Sequence, residues 1–131
     1  MKILNSLARK LIREWVIATM PQMKVKAGVC RFNYVCHRNS VHDAVSDGQK
    51  EVAMCFFFDE DYPIIHFVNV NEQGEYTDNT LGNWATTYRY YLIRHIEEDS
   101  FDNIQQIFNS YRKEVRKSLP FYVRWLSDYD G

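Results

Sequence analysis

The stretch PIIHFVNVNEQGEYTDNTLG, residues 63–82, constrains this chain more than any other. Ile64, Ile65, Phe67, Val68 and Val70 have strand composition, Asn71-Glu72-Gln73-Gly74 breaks the run, and Tyr76 and Thr77 resume it. A three-residue loop, Glu72-Gln73-Gly74, places glycine where the backbone needs a positive φ, which glycine adopts without steric cost. Asn71 then pairs with Glu75, Val68 with Asp78 and His66 with Thr80. In that register His66 and Asp78 are diagonal neighbours on one face, within side-chain reach. A loop one residue longer or shorter puts them on opposite faces. Such a pair reads either as a structural hydrogen bond or as a carboxylate that orients an imidazole base for a third residue.

The flanking sequence fixes the fold class. Residues 3–20 place Ile3, Leu4, Leu7, Leu11, Ile12, Trp15 and Val16 at helical spacing, and Pro21 follows the end of that helix. Residues 22–35 read as loop with a little extended structure. CHRNSVHDAVSDG, residues 36–48, reads as a short helix closed by Gly48. EVAMCFFFDE, residues 51–60, has the length and aromatic content of a buried strand. Residues 86–96 fit a strand or a helix, and their tyrosines favour strand. Ser100 is the expected cap of a long helix with Ile104, Ile107, Phe108, Tyr111 and Val115 on its inner face. Pro120 opens a last short helix. The expected architecture is therefore a single α+β domain over residues 1–131. A small antiparallel β-sheet packs against a cysteine-bearing helix, with amphipathic helices at both termini.

Composition removes several function classes. Sixteen basic residues stand against 17 acidic ones, a net charge of −1, so no basic field attracts nucleic acid or an anionic membrane. No stretch is apolar enough to span a bilayer, and Arg9, Lys10, Arg13 and Glu14 interrupt the opening segment where a signal-peptide core would be continuous. Cys30, Cys36 and Cys55 are odd in number and form no CxxC pair, which favours reduced thiols. A cytoplasmic, unprocessed protein is expected.

A nucleophile for His66 is available upstream. Cys36 falls at the predicted start of a helix, where free N–H groups and the helix dipole favour a thiolate and can hold a developing oxyanion. The order along the chain is then Cys36, His66, Asp78. That arrangement resembles the core of the papain-like and transglutaminase-like cysteine enzymes, in which a helix presents cysteine to a sheet carrying His and then Asp or Asn. The stretches CHRNS and HFVNVNEQGEYTDNTLG are similar as well to small bacteriophage and bacterial proteins. The resemblance covers Asn33 to Gly82 and implies Cys36 as nucleophile, His66 as base and Asp78 as its orienter. Papain-like enzymes usually carry a glutamine several residues before the cysteine to complete the oxyanion hole. Here the candidates are Asn33, three residues upstream, and the more distant Gln22. The chain is short for a peptidase with a full cleft, so an amidase, deamidase or acyltransferase acting on a protein or peptide fits better.

Other readings remain open on the sequence. Cys30, Cys36, His37, Cys55 and His66 supply zinc-type ligands, but their spacing matches no usual ligand knuckle, so neither a metal nor another cofactor is expected. The alternative function is a non-catalytic inhibitor or adaptor in which His66 and Asp78 are structural and the tyrosines and tryptophans form an interface. Cys30 and Cys55 read as core thiols. Asn39 reads as a helix cap, His37 as a helix-start residue, and Asn79 and Thr80 as partners for backbone groups. Trp84 and Tyr88 follow the hairpin closely enough to line a cleft.

Overall fold

The computed structural model describes residues 4–31 and 35–126. Helix α1 (Asn5–Thr19) is followed by two short strands, β1 (Gln22–Met23) and β2 (Val25–Ala27), and by helix α2 (Cys36–Asp47). Strands β3 (Glu51–Asp59), β4 (Tyr62–Val70) and β5 (Tyr76–Asp78) come next. A 3-10 turn over Gly82–Thr87 leads into β6 (Tyr90–Glu97), and a second over Glu98–Asn103 leads into α3 (Ile104–Ser118) and α4 (Phe121–Leu126). The α+β class with helices at both ends is as expected.

The strands form one sheet in the order β1-β6-β3-β4-β5-β2. Every pairing is antiparallel except β2 with β5, a short parallel pair at the edge. The hairpin turn has the expected form. Gly74 sits at φ 77°, the Asn71 N–H donates to the Glu75 carbonyl at 3.0 Å, and Asn69 and Val70 pair with Thr77 and Tyr76. The Asn71 side chain also accepts from the amides of Gln73 and Glu75, which ties the loop to its own first residue. Strand β5 stops at Asp78, two residues short of the expected end.

One face of the sheet packs on helices. Val52, Met54, Phe56, Ile65 and Phe67 meet Ala8, Ile12 and Val16 of α1, Ala44 of α2, and Ile104 and Val115 of α3. Burying a phenylalanine such as Phe56 or Phe67, both fully enclosed, contributes roughly 1.5–3 kcal/mol. The opposite face closes on itself around Ala53, Cys55, Phe57, Val68, Val70 and Tyr90. Its curl is strong enough that Tyr76 of β5 hydrogen-bonds His95 of β6 at 2.8 Å, although β3 and β4 lie between their strands.

Four local expectations are corrected. The strand expected over 86–96 begins only at Tyr90, because the preceding residues coil into a 3-10 turn. Ser100 lies inside the second 3-10 turn and donates to Asp99, so α3 starts after Asn103 with no side-chain cap. Cys30 is exposed, at an isolated bridge to Leu81 beyond the end of β2; Cys55 is buried as expected. Asn39 is the fourth residue of α2 and turns away from the helix end to donate to Thr80 Oγ1 at 3.0 Å.

Candidate functional site

Strand β5 is short, and that shortness builds the site. From Val68 back toward Tyr62 the edge of β4 has no strand partner, and α2 occupies part of the gap with side chains. Ser40 Oγ donates to the Phe67 carbonyl at 3.0 Å, and Asn69 Nδ2 returns a bond to the Ser40 carbonyl at 2.8 Å. These buried bonds satisfy groups that an open strand edge would leave bare, and they fix the first turn of α2 beside His66. Gly48, in the left-handed conformation at φ 69°, closes the far end of the helix. A bidentate pair between Arg31 and Asp43, at 2.6 and 2.9 Å, ties its middle to the segment before it.

The sheet brings His66 and Asp78 together as the hairpin register requires. His66 Nε2 donates to Asp78 Oδ2 at 2.7 Å, and the two side chains are 5% and 0% exposed. A carboxylate accepts only, so Nε2 carries the proton and Nδ1 is left for a third residue. Asp78 is fully coordinated: Oδ2 also accepts the Tyr90 hydroxyl at 2.7 Å, and Oδ1 accepts the amides of Thr80 and Leu81 at 2.9 Å each. Burial raises the Asp78 pKa, but the His66 hydrogen bond and charge, the Leu81 amide and the Tyr90 hydroxyl outweigh it and hold the carboxyl below its usual range. Burial and the neighbouring Asp78 push the Tyr90 phenol far up, so it remains a donor.

Cys36 is the first residue of α2 and is partly exposed. Its thiol meets the rings of His66 and His37 and the backbone amide of Phe67 on the open edge of β4. Burial alone raises its pKa, but the charge of His66, hydrogen bonds from both imidazoles and the Phe67 amide bring it down to about 6. Burial disfavours the charged form of His66, yet the Cys36 thiolate and Asp78 lift its pKa to about 10. Each charge favours the other, so the opposed shifts favour the thiolate–imidazolium form of the pair. The N–H groups of Cys36 and His37 precede the first intrahelical bond, from Asn39 to Val35, and so have no acceptor within the helix.

The pair opens onto a cavity of about 370 Å³ whose walls include Phe57, Ile64, Leu81, Tyr88 and Phe108, with Asp59 among the lining residues. Tyr88 lines this cleft as the sequence suggested; Trp84 is 62% exposed and lies outside it. Asn33, the candidate oxyanion donor, lies outside the described residues, and Gln22 belongs to β1 on the far edge of the sheet. Among the described residues, no group of three or more His, Cys, Asp or Glu is placed to hold a metal ion. No described helix is long and apolar enough to cross a membrane.

Sequence reasoning missed two members of the site. His37 touches the thiol and stacks on Phe108, with centroids 5.9 Å apart and planes at 8°, while its Nε2 is buried without a partner among the described residues. Its adjacency to Cys36 was the available signal. Tyr90 reaches Asp78 because β6 has a bulge opposite Met54 and Cys55, which puts Tyr90, Leu92 and His95 on the same face despite their mixed parity. No family model, curated protein or solved structure matches the chain.

Proposed function

We propose that the chain is a thiol-dependent acyl-group hydrolase or transferase, of papain-like or transglutaminase-like kind, acting on a protein or peptide. The observation that carries this reading is a helix-end cysteine set against a buried histidine whose other nitrogen is held by a carboxylate at 2.7 Å. Cys36 is the nucleophile, His66 the acid and base, and Asp78 the group that fixes the imidazole tautomer. The thiolate attacks a carbonyl carbon and forms the C–S bond, and the N–H groups at the start of α2 receive the oxyanion. Nδ1–H of His66 then protonates the leaving nitrogen or oxygen as its bond to carbon breaks. Water or an amine, deprotonated by His66, attacks the thioester and releases the thiolate.

The test is alkylation by iodoacetamide across pH, read residue by residue by mass spectrometry. Cys36 is expected to react with a midpoint near pH 6, and exposed Cys30 serves as the internal control. A Cys36 no faster than Cys30 at pH 7 would overturn the reading. A second reading, a non-catalytic protein-binding role, is favoured by α4, where Phe121, Tyr122 and Trp125 are 69%, 49% and 79% exposed. It takes the first place if Cys36 behaves as an ordinary thiol.

A further inference from the structure

We propose that the cleft beside Cys36 and His66 receives a long aliphatic side chain with a cationic end, so that the substrate carries a lysine- or arginine-like group next to the reacting carbonyl. The inference rests on the thiol-catalysis reading above and supplies its substrate class. The wall of the cleft is a chain of rings. Phe57 packs edge-on against His66 at 5.1 Å between centroids, and Tyr88 lies 4.6 Å beyond Phe57. Ile64 and Leu81 complete an apolar surface of the kind that methylene stems cover.

The polar end of this wall is acidic. Asp59 lies two residues after Phe57 on β3, hence on the same face, and lines the same cavity. Burial and the Asp59 charge both raise the Tyr88 phenol pKa, so the carboxylate acts directly on the last ring of the wall. The other aspartate of the adjoining turn, Asp61, is paired with Arg13 at 3.3 Å, whereas no ion pair among the described residues involves Asp59. Among the described residues no lysine or arginine lines the cavity, and the Cys36–His66 pair is neutral as a unit. A cation over the Tyr88 ring and beside Asp59 gains from both, while an anion there meets only repulsion.

The probes are three iodoacetamides with the same four-carbon N-substituent, ending in a guanidinium, a methyl or a carboxylate. Rates at Cys36 are normalised to each protein's own rate with unsubstituted iodoacetamide. The guanidinium reagent is expected to lead the methyl one by about threefold to fivefold, the range for an exposed ion pair, with the carboxylate slowest. Asp59→Asn should bring the guanidinium rate down to that of the methyl reagent. Equal rates for the three ends in the wild type, or a guanidinium advantage that survives Asp59→Asn, would sink the proposal. Repeating the series at pH 9, where an unassisted thiol also ionises, reads this selectivity even if Cys36 proves unactivated. Failure of catalysis and failure of the cleft assignment are thereby separated.

Discussion

Two imidazoles on the curled sheet each share a hydrogen-bonded set with a carboxylate and a tyrosine, with different results. In the buried set Asp78 is the hub and accepts from both His66 and Tyr90, leaving one nitrogen of His66 for Cys36. In the second set the histidine is the hub. His95 Nε2 meets the Tyr76 hydroxyl at 2.8 Å and its Nδ1 meets Glu51 at 3.0 Å, so both nitrogens are occupied. Burial differs as well: His95 and Glu51 are 32% and 39% exposed, against 5% and 0% for His66 and Asp78. A carboxylate behind an imidazole is therefore common architecture. What sets the His66 set apart is a second nitrogen left for Cys36, deeper burial and a thiol delivered by another element.

The comparison can be broken most forcefully at the carboxylates. Asp78→Ala leaves a buried imidazolium without its partner and is expected to cost about 3–5 kcal/mol in urea unfolding. Glu51→Ala, at a part-exposed pair, should cost less than about 1 kcal/mol. Equal losses would show that burial does not separate the two sets. At the histidines, His66→Ala should slow Cys36 alkylation at pH 7 on the order of a hundredfold, because the thiol returns toward its ordinary pKa. His95→Ala should leave that rate where it was, and a matching loss would make the second set part of the same proton path.

The smallest expected effect sharpens the contrast through pH. Folded His66 keeps its proton to about pH 10 against 6.5 unfolded, so its share of stability is complete below 6.5 and is lost as pH rises through about 10. Folded Cys36 ionises at about 6 against 9.0, so its share is complete above 9.0 and is lost as pH falls through about 6. Together they predict level stability from 6.5 to 9.0. A fall of about 1 kcal/mol should follow between 9.0 and about 10, where the unfolded chain has lost the thiol proton and the folded chain keeps the imidazolium proton. Urea unfolding across that range should show the alkaline fall in wild type and His95→Ala, and lose it in His66→Ala.

The features legible in the sequence were those set by short-range geometry. Gly74 dictated a loop length, the loop length dictated register, and register placed His66 beside Asp78. Gly48 marked the end of the helix that begins at Cys36 in the same local way. What stayed hidden depended on contacts between distant segments. The β6 bulge overrides residue parity, so no alternation rule could put Tyr90 and His95 on one face. Asn39 has the chemistry of a cap, and only the arrival of Thr80 from the hairpin end gives it a different partner. Cys30 has the composition of a core residue but sits beyond the end of β2, at an isolated bridge to Leu81 where its side chain is exposed.

Lys24 alone separates β1 from β2, yet these strands lie at opposite edges of the sheet. One pairs with Tyr90 and Tyr91, the other with Tyr76 to Asp78, so both pairings wait for chain that lies far downstream. Closing loops of that size is entropically costly, and this strap is expected to dock late, after the β3–β4 hairpin has assembled locally. It also works as a clasp. A single proteolytic nick at Lys24 would free both margins of the sheet at once, uncovering backbone groups that would then be available to pair with another molecule.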